Sequence, residues 1–361
     1  MQHNFVLTGG GTGGHVFPAI AVARVLRDRG HRAMFIGTQT GIESRLVPEA
    51  GFEMEYIRIG QLNRVGIVRK LQTAGELPIS IATARRILRK HLPAAVFSMG
   101  GFVAGPVMIA ALLRRVPLIV MEPNATPGLA NRRVAPYVYR ALLGFEQAKR
   151  CFPREKSEVT GLPVRPEFFQ VPRKIGGPFT TLITGGSRGS RTLNRASRES
   201  WPLFRERGGD IRILHQTGTA EHQELAREFA ASGLNGEVVP FIHDMAGALA
   251  RADLVIARSG AGSVNEIAAA GMASVLIPFP FAADDHQKKN AGALRDAGAA
   301  RMVLDQEMTG ERLFREVSEL QQNEDELQRM RELVKRFAHP GAAERAADVL
   351  EAAATRGGVE N

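Results

Sequence analysis

Cysteine is nearly absent: Cys151 is the only one in 361 residues. An intrachain disulfide and a cysteine-held metal cluster are thereby excluded, and the usage fits a reducing compartment, the cytosol. Aromatic residues make up only 6% of the chain. None is interleaved with the basic clusters, so the stacking platform of a nucleic-acid binder is missing and no nucleic-acid partner is expected. The opening Met-Gln-His-Asn-Phe-Val-Leu carries no basic stretch and runs into glycines, which argues against a signal peptide. The uncharged run Pro93–Leu113 is long enough to span a bilayer. Its centre, however, holds Gly100, Gly101, Gly105 and Pro106, so it reads as a buried strand, a glycine loop and the start of a helix. No Asp-X-Asp triplet and no Gly-X4-Gly-Lys-Ser/Thr motif occurs, which leaves neither a carboxylate-held metal nor a Walker-type nucleotide site.

What is present is a globular composition, 44% hydrophobic and 23% charged, in a chain longer than the roughly 250–300 residues one core sustains. Two domains are the expectation. The net charge of +10 is unevenly placed: residues 1–170 hold 23 Lys and Arg against 11 Asp and Glu, and the remainder holds 24 against 26. The basic half should meet something anionic, whether nucleic acid, a lipid surface or a phosphorylated substrate.

Short apolar runs alternate with helical patterns. Strands are predicted at Phe5–Thr8, Ala33–Gly37, Ala95–Ser98, Leu118–Glu122 and Ala141–Phe145. The second half repeats the theme at Thr180–Thr184, Ile213–Gln216, Val238–Ile242, Leu254–Ala257 and Ser274–Pro278, and ends in helices over 309–337 and 341–356. The loop Thr184-Gly185-Gly186-Ser187 echoes Thr8-Gly9-Gly10-Gly11. This pattern predicts an α/β protein of two similar, Rossmann-like doubly wound domains with parallel sheets. The boundaries fall at residues 1–163 plus 340–361 for one domain and 164–339 for the other, around Gly161-Leu162-Pro163.

Gly9, Gly11 and Gly14 form G-x-G-x-x-G between a strand and a helix. A dinucleotide site would also need an acidic residue at the end of the second strand, and no carboxylate appears until Glu43. The loop is left as a backbone cradle for an anion or a sugar. His15 follows at the helix start, where the neutral imidazole that suits a general base is favoured. In the second half, Arg258-Ser259-Gly260-Ala261-Gly262-Ser263 opens a helix bearing Glu266, a turn suited to phosphate with a carboxylate placed to chelate a ribose diol. The loops Met99-Gly100-Gly101-Phe102 and Glu122 to Asn131 each follow a strand and should crowd the same sheet edge as His15.

Taken in order, Gly10 to Pro18, Gly100-Gly101, Glu122 with Asn124 and Asn131, Gly185-Gly186-Ser187, Arg258 to Glu266, and Asp284 to Asn290 resemble the MurG family of peptidoglycan-pathway N-acetylglucosaminyltransferases over essentially the whole chain. The resemblance implies the GT-B arrangement, two domains facing a cleft. It implies inverting transfer of GlcNAc from UDP-GlcNAc to the C4 hydroxyl of MurNAc in undecaprenyl-pyrophosphoryl-MurNAc-pentapeptide, with no cofactor required. By the same resemblance the Ile242 backbone reads uracil and Glu266 holds ribose. Ser187 with the turn Ser259, Gly260, Ala261, Gly262 and Ser263 holds the diphosphate, and His286 and Gln287 face the sugar. Thr12, Gly13, Gly14, Asn124 and Arg165 complete the donor site, while Gly11, Gly100, Gly101 and Asn131 meet the acceptor. His15 is the expected base, with Glu122 the rival. The chain departs from the family pattern at Phe102, Pro123, Arg188 and His286.

An anionic membrane surface is the further expected partner. Arg64–Leu71 and Leu77–Leu92, with Arg85, Arg86, Arg89 and Lys90, mix basic and apolar residues and would dock peripherally on the cytoplasmic face of the plasma membrane. Cell-wall synthesis proteins are a partner class the resemblance allows. Two enzyme alternatives stay open: a GT-B transferase acting on another lipid such as diacylglycerol, and a sugar-nucleotide epimerase of the same fold.

Overall fold

The computed structural model describes residues 1–60 and 67–357, with the side chains of 67–74 and 356–357 outside the description. Arg64, Val65 and Gly66 of the expected basic segment, and the side chains of its other residues, fall outside it. Two compact units emerge, Met1–Val164 with His339–Asn361, and Arg165–Ala338. The division falls one residue after the expected first boundary and one before the second.

The N-terminal unit is built on β1 (Asn4–Thr8), β2 (Arg32–Gly37), β3 (Glu53–Tyr56), β4 (Ala95–Ser98), β5 (Leu118–Glu122), β6 (Arg140–Leu143) and β7 (Ser157–Val159). All pairings are parallel, in the order β3-β2-β1-β4-β5-β6-β7. Helices α1 (Gly13–Asp28), α2 (Glu43–Glu49), α3 (Ile67–His91), α4 (Ala104–Leu113) and α5 (Leu129–Val134) connect the strands. Every residue of β4 and β5 is buried, the signature of a parallel sheet covered on both faces. The tempting uncharged run is β4, a glycine loop and α4, as its punctuation predicts, and among the described residues no helix is long and apolar enough to cross a membrane.

The C-terminal unit holds β8 (Phe179–Thr184), β9 (Ile211–Gln216), β10 (Asn235–Val239), β11 (Leu254–Ala257), β12 (Ser274–Leu276) and β13 (Arg301–Met302), again all parallel, in the order β10-β9-β8-β11-β12-β13. Its helices are α6 (Arg191–Arg207), α7 (His222–Ala231), α8 (Met245–Ala250), α9 (Ala261–Ala269), α10 (His286–Asp296), α11 (Gly310–Gln321) and α12 (Glu324–Val334). The chain then returns to the first unit as α13 (Ala342–Gly357). There Arg29 meets Asp348 at 2.7 Å and Glu351 at 2.9 Å, and His31 Nε2 lies 3.0 Å from Glu351.

Several expectations need correction. The strand expected at Val238–Ile242 ends at Val239, because Pro240 has no N–H for the ladder. The single helix expected over 309–337 is two, since Asn323 caps a new start by accepting the Glu326 amide at 3.0 Å. Strands β3, β7 and β13 carry no apolar run: their residues are half-buried or exposed, on or beside sheet edges.

In each sheet the strand order reverses once, between β1 and β4 and between β8 and β11. Ligands of doubly wound sheets bind at the carboxyl ends beside this reversal. The loops after β1 and β4 in one unit, and after β8 and β11 in the other, carry most of the residues singled out by sequence, and Glu122, Asn124, Asn131, Arg165, Ile242, His286 and Gln287 stand at or beyond the ends of other strands.

Candidate active site

In the N-terminal unit the loop after β1 turns at Gly11, whose φ of +83° a side chain would strain. His15 lies in the first turn of α1, its Nδ1 3.2 Å from the Gly10 carbonyl oxygen and 3.3 Å from Thr12 Oγ1. A carbonyl can only accept, so the contact with Gly10 requires the proton on Nδ1 and leaves Nε2 as the basic nitrogen. The ring packs beside the second glycine loop: a Cβ on Gly101 would stand 3.6 Å from His15 Cε1. Thr12 is the N-cap and makes no side-chain cap bond, while Gly13 and Gly14 begin the helix.

The Gly11 amide is not open to an anion. It donates to Glu43 Oε2 at 3.0 Å, and Glu43 Oε1 accepts from the Thr38 amide at 3.1 Å and the Thr38 hydroxyl at 2.7 Å. Glu43, the first carboxylate after β2, is buried behind the glycine loop rather than open to a ribose. This corrects the expectation that Gly11 belongs to a free backbone cradle and explains why no dinucleotide reading survives.

Glu122, at the carboxyl end of β5, is also buried, and it organises the loop that follows. Oε1 accepts from the Asn124 amide at 3.0 Å and Asn124 Nδ2 at 3.2 Å; Oε2 accepts from the Gly128 amide at 3.0 Å and Asn131 Nδ2 at 2.9 Å. Burial pushes its carboxyl above the usual range, while the donors from Asn131, Asn124 and Gly128 pull the other way. Each of these four partners is a donor, an arrangement that suits the ionised form. Asn131 stands against Gly100, where a Cβ would lie 2.8 Å from its Nδ2. Gly100, Gly101, Asn124 and Asn131 are thus drawn into one constellation with Glu122, and His15 stands against Gly101.

In the C-terminal unit the helix starts after β8 and β11 differ. Helix α6 is capped by its own Ser190, which accepts the Leu193 amide at 3.3 Å. Helix α9 has Gly260 at its N-cap and no capping side chain, so the first amides, those of Ala261, Gly262 and Ser263, have no side-chain oxygen at the cap. Ser259 is fully buried; its hydroxyl donates to the Gln287 carbonyl at 2.9 Å and its own carbonyl accepts from Asn290 at 3.2 Å. Its hydroxyl therefore shapes the turn, and the turn offers an anion its amides. Ser187 is exposed on the loop after β8.

Glu266 sits one turn into α9. Burial pushes its carboxyl up to about 7, opposed by Arg165 and reinforced by Glu167. Arg165 bonds Glu167 at 3.2 Å and lies over the Phe168 ring at 4.9 Å. Ile242 borders a groove lined also by Val239, Phe241 and Asp244. Its amide is already taken, donating to Gln216 Oε1 at 2.8 Å, so its carbonyl is the group left to read a base. Gln287 Oε1 accepts the Phe279 amide at 3.0 Å, and His286 Nδ1 lies 2.7 Å from the Ala283 carbonyl; both side chains also brace their own turn.

Two organising residues are absent from the sequence-predicted set, Glu43 and Gln216, and a third, Arg258, stands in the motif over 258–266 without a role of its own. Gln216 Nε2 bonds the Gly186 carbonyl at 2.8 Å and Thr184 Oγ1 at 3.2 Å, joining the loop after β8 to the loop bearing Ile242. Arg258 reaches Ser190 Oγ at 2.7 Å, the Ile277 and Pro278 carbonyls, and Asp305 at 2.5 Å. The available signal is common to Gln216 and Glu122: a polar residue at the carboxyl end of a strand. Among the described residues no group of three or more His, Cys, Asp or Glu is arranged to hold a metal ion.

Glycine loops and helix starts at the carboxyl ends of two doubly wound sheets suit a nucleotide-sugar enzyme such as a glycosyltransferase. Comparison with known proteins agrees. The model of the glycosyltransferase family 28 N-terminal domain matches residues 5–143, and that of the family 28 C-terminal domain matches residues 180–346. A curated protein of Solibacter usitatus, "UDP-N-acetylglucosamine--N-acetylmuramyl-(pentapeptide) pyrophosphoryl-undecaprenol N-acetylglucosamine transferase", is 58% identical over 96% of this chain and 95% of its own length. The crystal structure of Acinetobacter baumannii MurG superposes with a TM-score of 0.82 at 31% identity, covering 97% of this chain and 99% of that one. The chain belongs to glycosyltransferase family 28 and, within it, to the MurG family of N-acetylglucosamine transferases. A UDP-GlcNAc 2-epimerase from Neisseria meningitidis superposes with a TM-score of 0.67 over 97% of this chain and all of its own, but at 13% identity it shares only the fold.

Proposed function

We propose that this protein transfers GlcNAc from UDP-GlcNAc to the C4 hydroxyl of MurNAc in undecaprenyl-pyrophosphoryl-MurNAc-pentapeptide, with inversion. The 58% identity to the Solibacter transferase over nearly both full chains carries the reading. The site geometry supports a division of labour. The C-terminal unit binds the donor: the Ile242 carbonyl accepts from uracil, Glu266 holds the ribose hydroxyls with Arg165 nearby, and Ser187 with the amides of Ala261, Gly262 and Ser263 receive the diphosphate. His286 and Gln287 lie on the turn nearest the sugar. The N-terminal unit supplies His15, whose Nε2 takes the proton of the acceptor hydroxyl as it attacks the anomeric carbon in line with the departing UDP. Glu122 shapes the loop carrying Asn124 and Asn131, a role in which both its oxygens are engaged. Charge developing on UDP is met by the positive end of α9, and the reading assigns no metal or cofactor a part.

The N-terminal unit also carries the charge excess, 24 Lys and Arg against 14 Asp and Glu, while the C-terminal unit is balanced at 23 each. Helix α3 buries Ala84, Ile87 and Leu88 and exposes Arg85, Arg86 and Arg89. Ile79, Leu113 and Tyr137 are exposed apolar or aromatic residues of the same unit. Such a mixture favours an anionic lipid surface at the cytoplasmic face of the membrane, with on the order of 1 kcal/mol per basic residue near it. Charge reversal at Arg85, Arg86 and Arg89 should release the protein from anionic vesicles; salt-independent binding that survives reversal would contradict the docking.

Transfer of labelled GlcNAc from UDP-GlcNAc to the lipid-linked MurNAc-pentapeptide tests the reaction, with UDP-glucose and diacylglycerol as controls. Product from the first pair alone is expected. Product only from the second pair, or epimerisation without acceptor, would replace the reading.

A further inference from the structure

Glu43 is buried, with 1% of its surface exposed, on a face of the glycine loop opposite the one His15 uses. The two residues are joined by a single peptide group. Its N–H, that of Gly11, donates to Glu43 Oε2 at 3.0 Å; its C=O, that of Gly10, faces His15 Nδ1 at 3.2 Å. A trans peptide is rigid and planar and sets these two dipole ends on opposite sides. A negative charge on the N–H end polarises the amide and strengthens the carbonyl as an acceptor, as in any chain of hydrogen bonds.

The room for this carboxylate is built in. A Cβ at Gly10 would come within 2.5 Å of Glu43 Cδ, one at Gly37 within 2.8 Å of its Cγ, and one at Gly41 would overlap its carboxylate oxygens. Thr38 fixes the other oxygen through two donors. Three glycines and a threonine thus hold one charged group in one orientation behind the loop.

We propose that Glu43 is a positioning residue for the transfer reaction: through the Gly10–Gly11 peptide it holds His15 in the Nδ1–H tautomer with Nε2 basic. The inference rests on the reading of His15 as the base. It assigns Glu43 the part that a carboxylate hydrogen-bonded directly to histidine plays in other sites, here relayed across one amide. No proton passes to Glu43; it orients and polarises.

Glu43→Gln tests this, because a glutamine of the same shape must set an NH2 against either the Gly11 or the Thr38 amide. The variant should keep its fold by circular dichroism and its affinity for UDP-GlcNAc, and lose roughly 10- to 100-fold in kcat. Its 15N histidine spectrum should show His15 moving from the Nδ1–H tautomer to a mixture. In a His15→Ala background the same change should cost nothing further. Thr38→Val, which removes one donor to Oε1 but leaves the Gly11 bond, should keep the tautomer and most of kcat. An unchanged tautomer in Glu43→Gln, or losses that multiply in the double variant, would overturn the relay while leaving His15 as base. Full turnover by His15→Ala alone would overturn both.

Discussion

The loop after β1 and the turn after β11 each lie beside the strand-order reversal of their own sheet, yet their amides are used in opposite ways. Behind the first stands a buried carboxylate that consumes the Gly11 N–H and leaves a carbonyl to hold an imidazole. At the second, a glycine N-cap leaves the amides of α9 without a capping side chain. We read the first as a base-positioning loop and the second as an anion-binding helix end, one α/β plan put to two uses. The charge balance follows the same division. On that reading the unit with the neutral sum would bind a diphosphate through helix amides and the helix dipole rather than through cations.

The comparison breaks most visibly at His15. Its replacement by alanine should lower kcat by about 10²- to 10⁴-fold and leave the equilibrium affinity for UDP-GlcNAc unchanged, as read by calorimetry. Gln216→Leu should do the reverse. It unties the Gly186 carbonyl and strands the Ile242 amide, a loss of about 1–3 kcal/mol. The donor KM should rise by roughly tenfold or more with kcat at saturating donor retained.

A subtler effect concerns Glu266. Only its ionised form accepts from both ribose hydroxyls, and burial places its titration at about 7. Affinity for UDP should therefore fall as pH drops, to about tenfold weaker at pH 6 than at pH 8. Glu266→Gln should bind weakly at both and lose the dependence. A dependence that persists in the variant would assign the titration to another group.

The smallest effect on activity belongs to His215, the penultimate residue of β9. It is fully buried, neither ring nitrogen has a hydrogen-bond partner among the described residues, and burial holds its titration down to about 3. The unfolded chain takes up this proton near pH 6.5 and the folded chain does not, so stability is full above about 6.5 and drains as pH falls toward 3. His215→Phe should leave transfer unchanged and resist acid better, by about 2 to 3 kcal/mol at pH 4.5. Urea melts at that pH measure it.

Much of this architecture was legible in the chain. Strands β4, β5 and β11 were bounded to the residue because parallel strands covered on both faces are continuous apolar runs with glycine or proline beyond. The edge strands β3 and β13 were not, since an edge position relaxes the need for that run. Of the candidate site, the glycine loops, His15 and Glu266 stand out in the sequence because each lies at or just past a strand-to-helix junction. Glu43 and Gln216 are obscured by distance, since the bonds that tie them to the glycine loops and to Ile242 span 32 and 26–32 residues, and the part played by Arg258 is hidden because its partners lie 19–68 residues away. A hydrogen-bonded polar residue closing a strand looks in sequence like any solvated one.

The central claim is that chemistry lies in the N-terminal unit and donor binding in the C-terminal one. Equilibrium UDP-GlcNAc affinity and the single-turnover transfer rate at saturating donor, measured together on His15→Ala and Glu266→Gln, test it most directly. The account predicts wild-type affinity with a lost rate for the first, and weakened affinity with a largely retained rate for the second. Weakened donor affinity in His15→Ala, or a lost rate with intact affinity in Glu266→Gln, would contradict it.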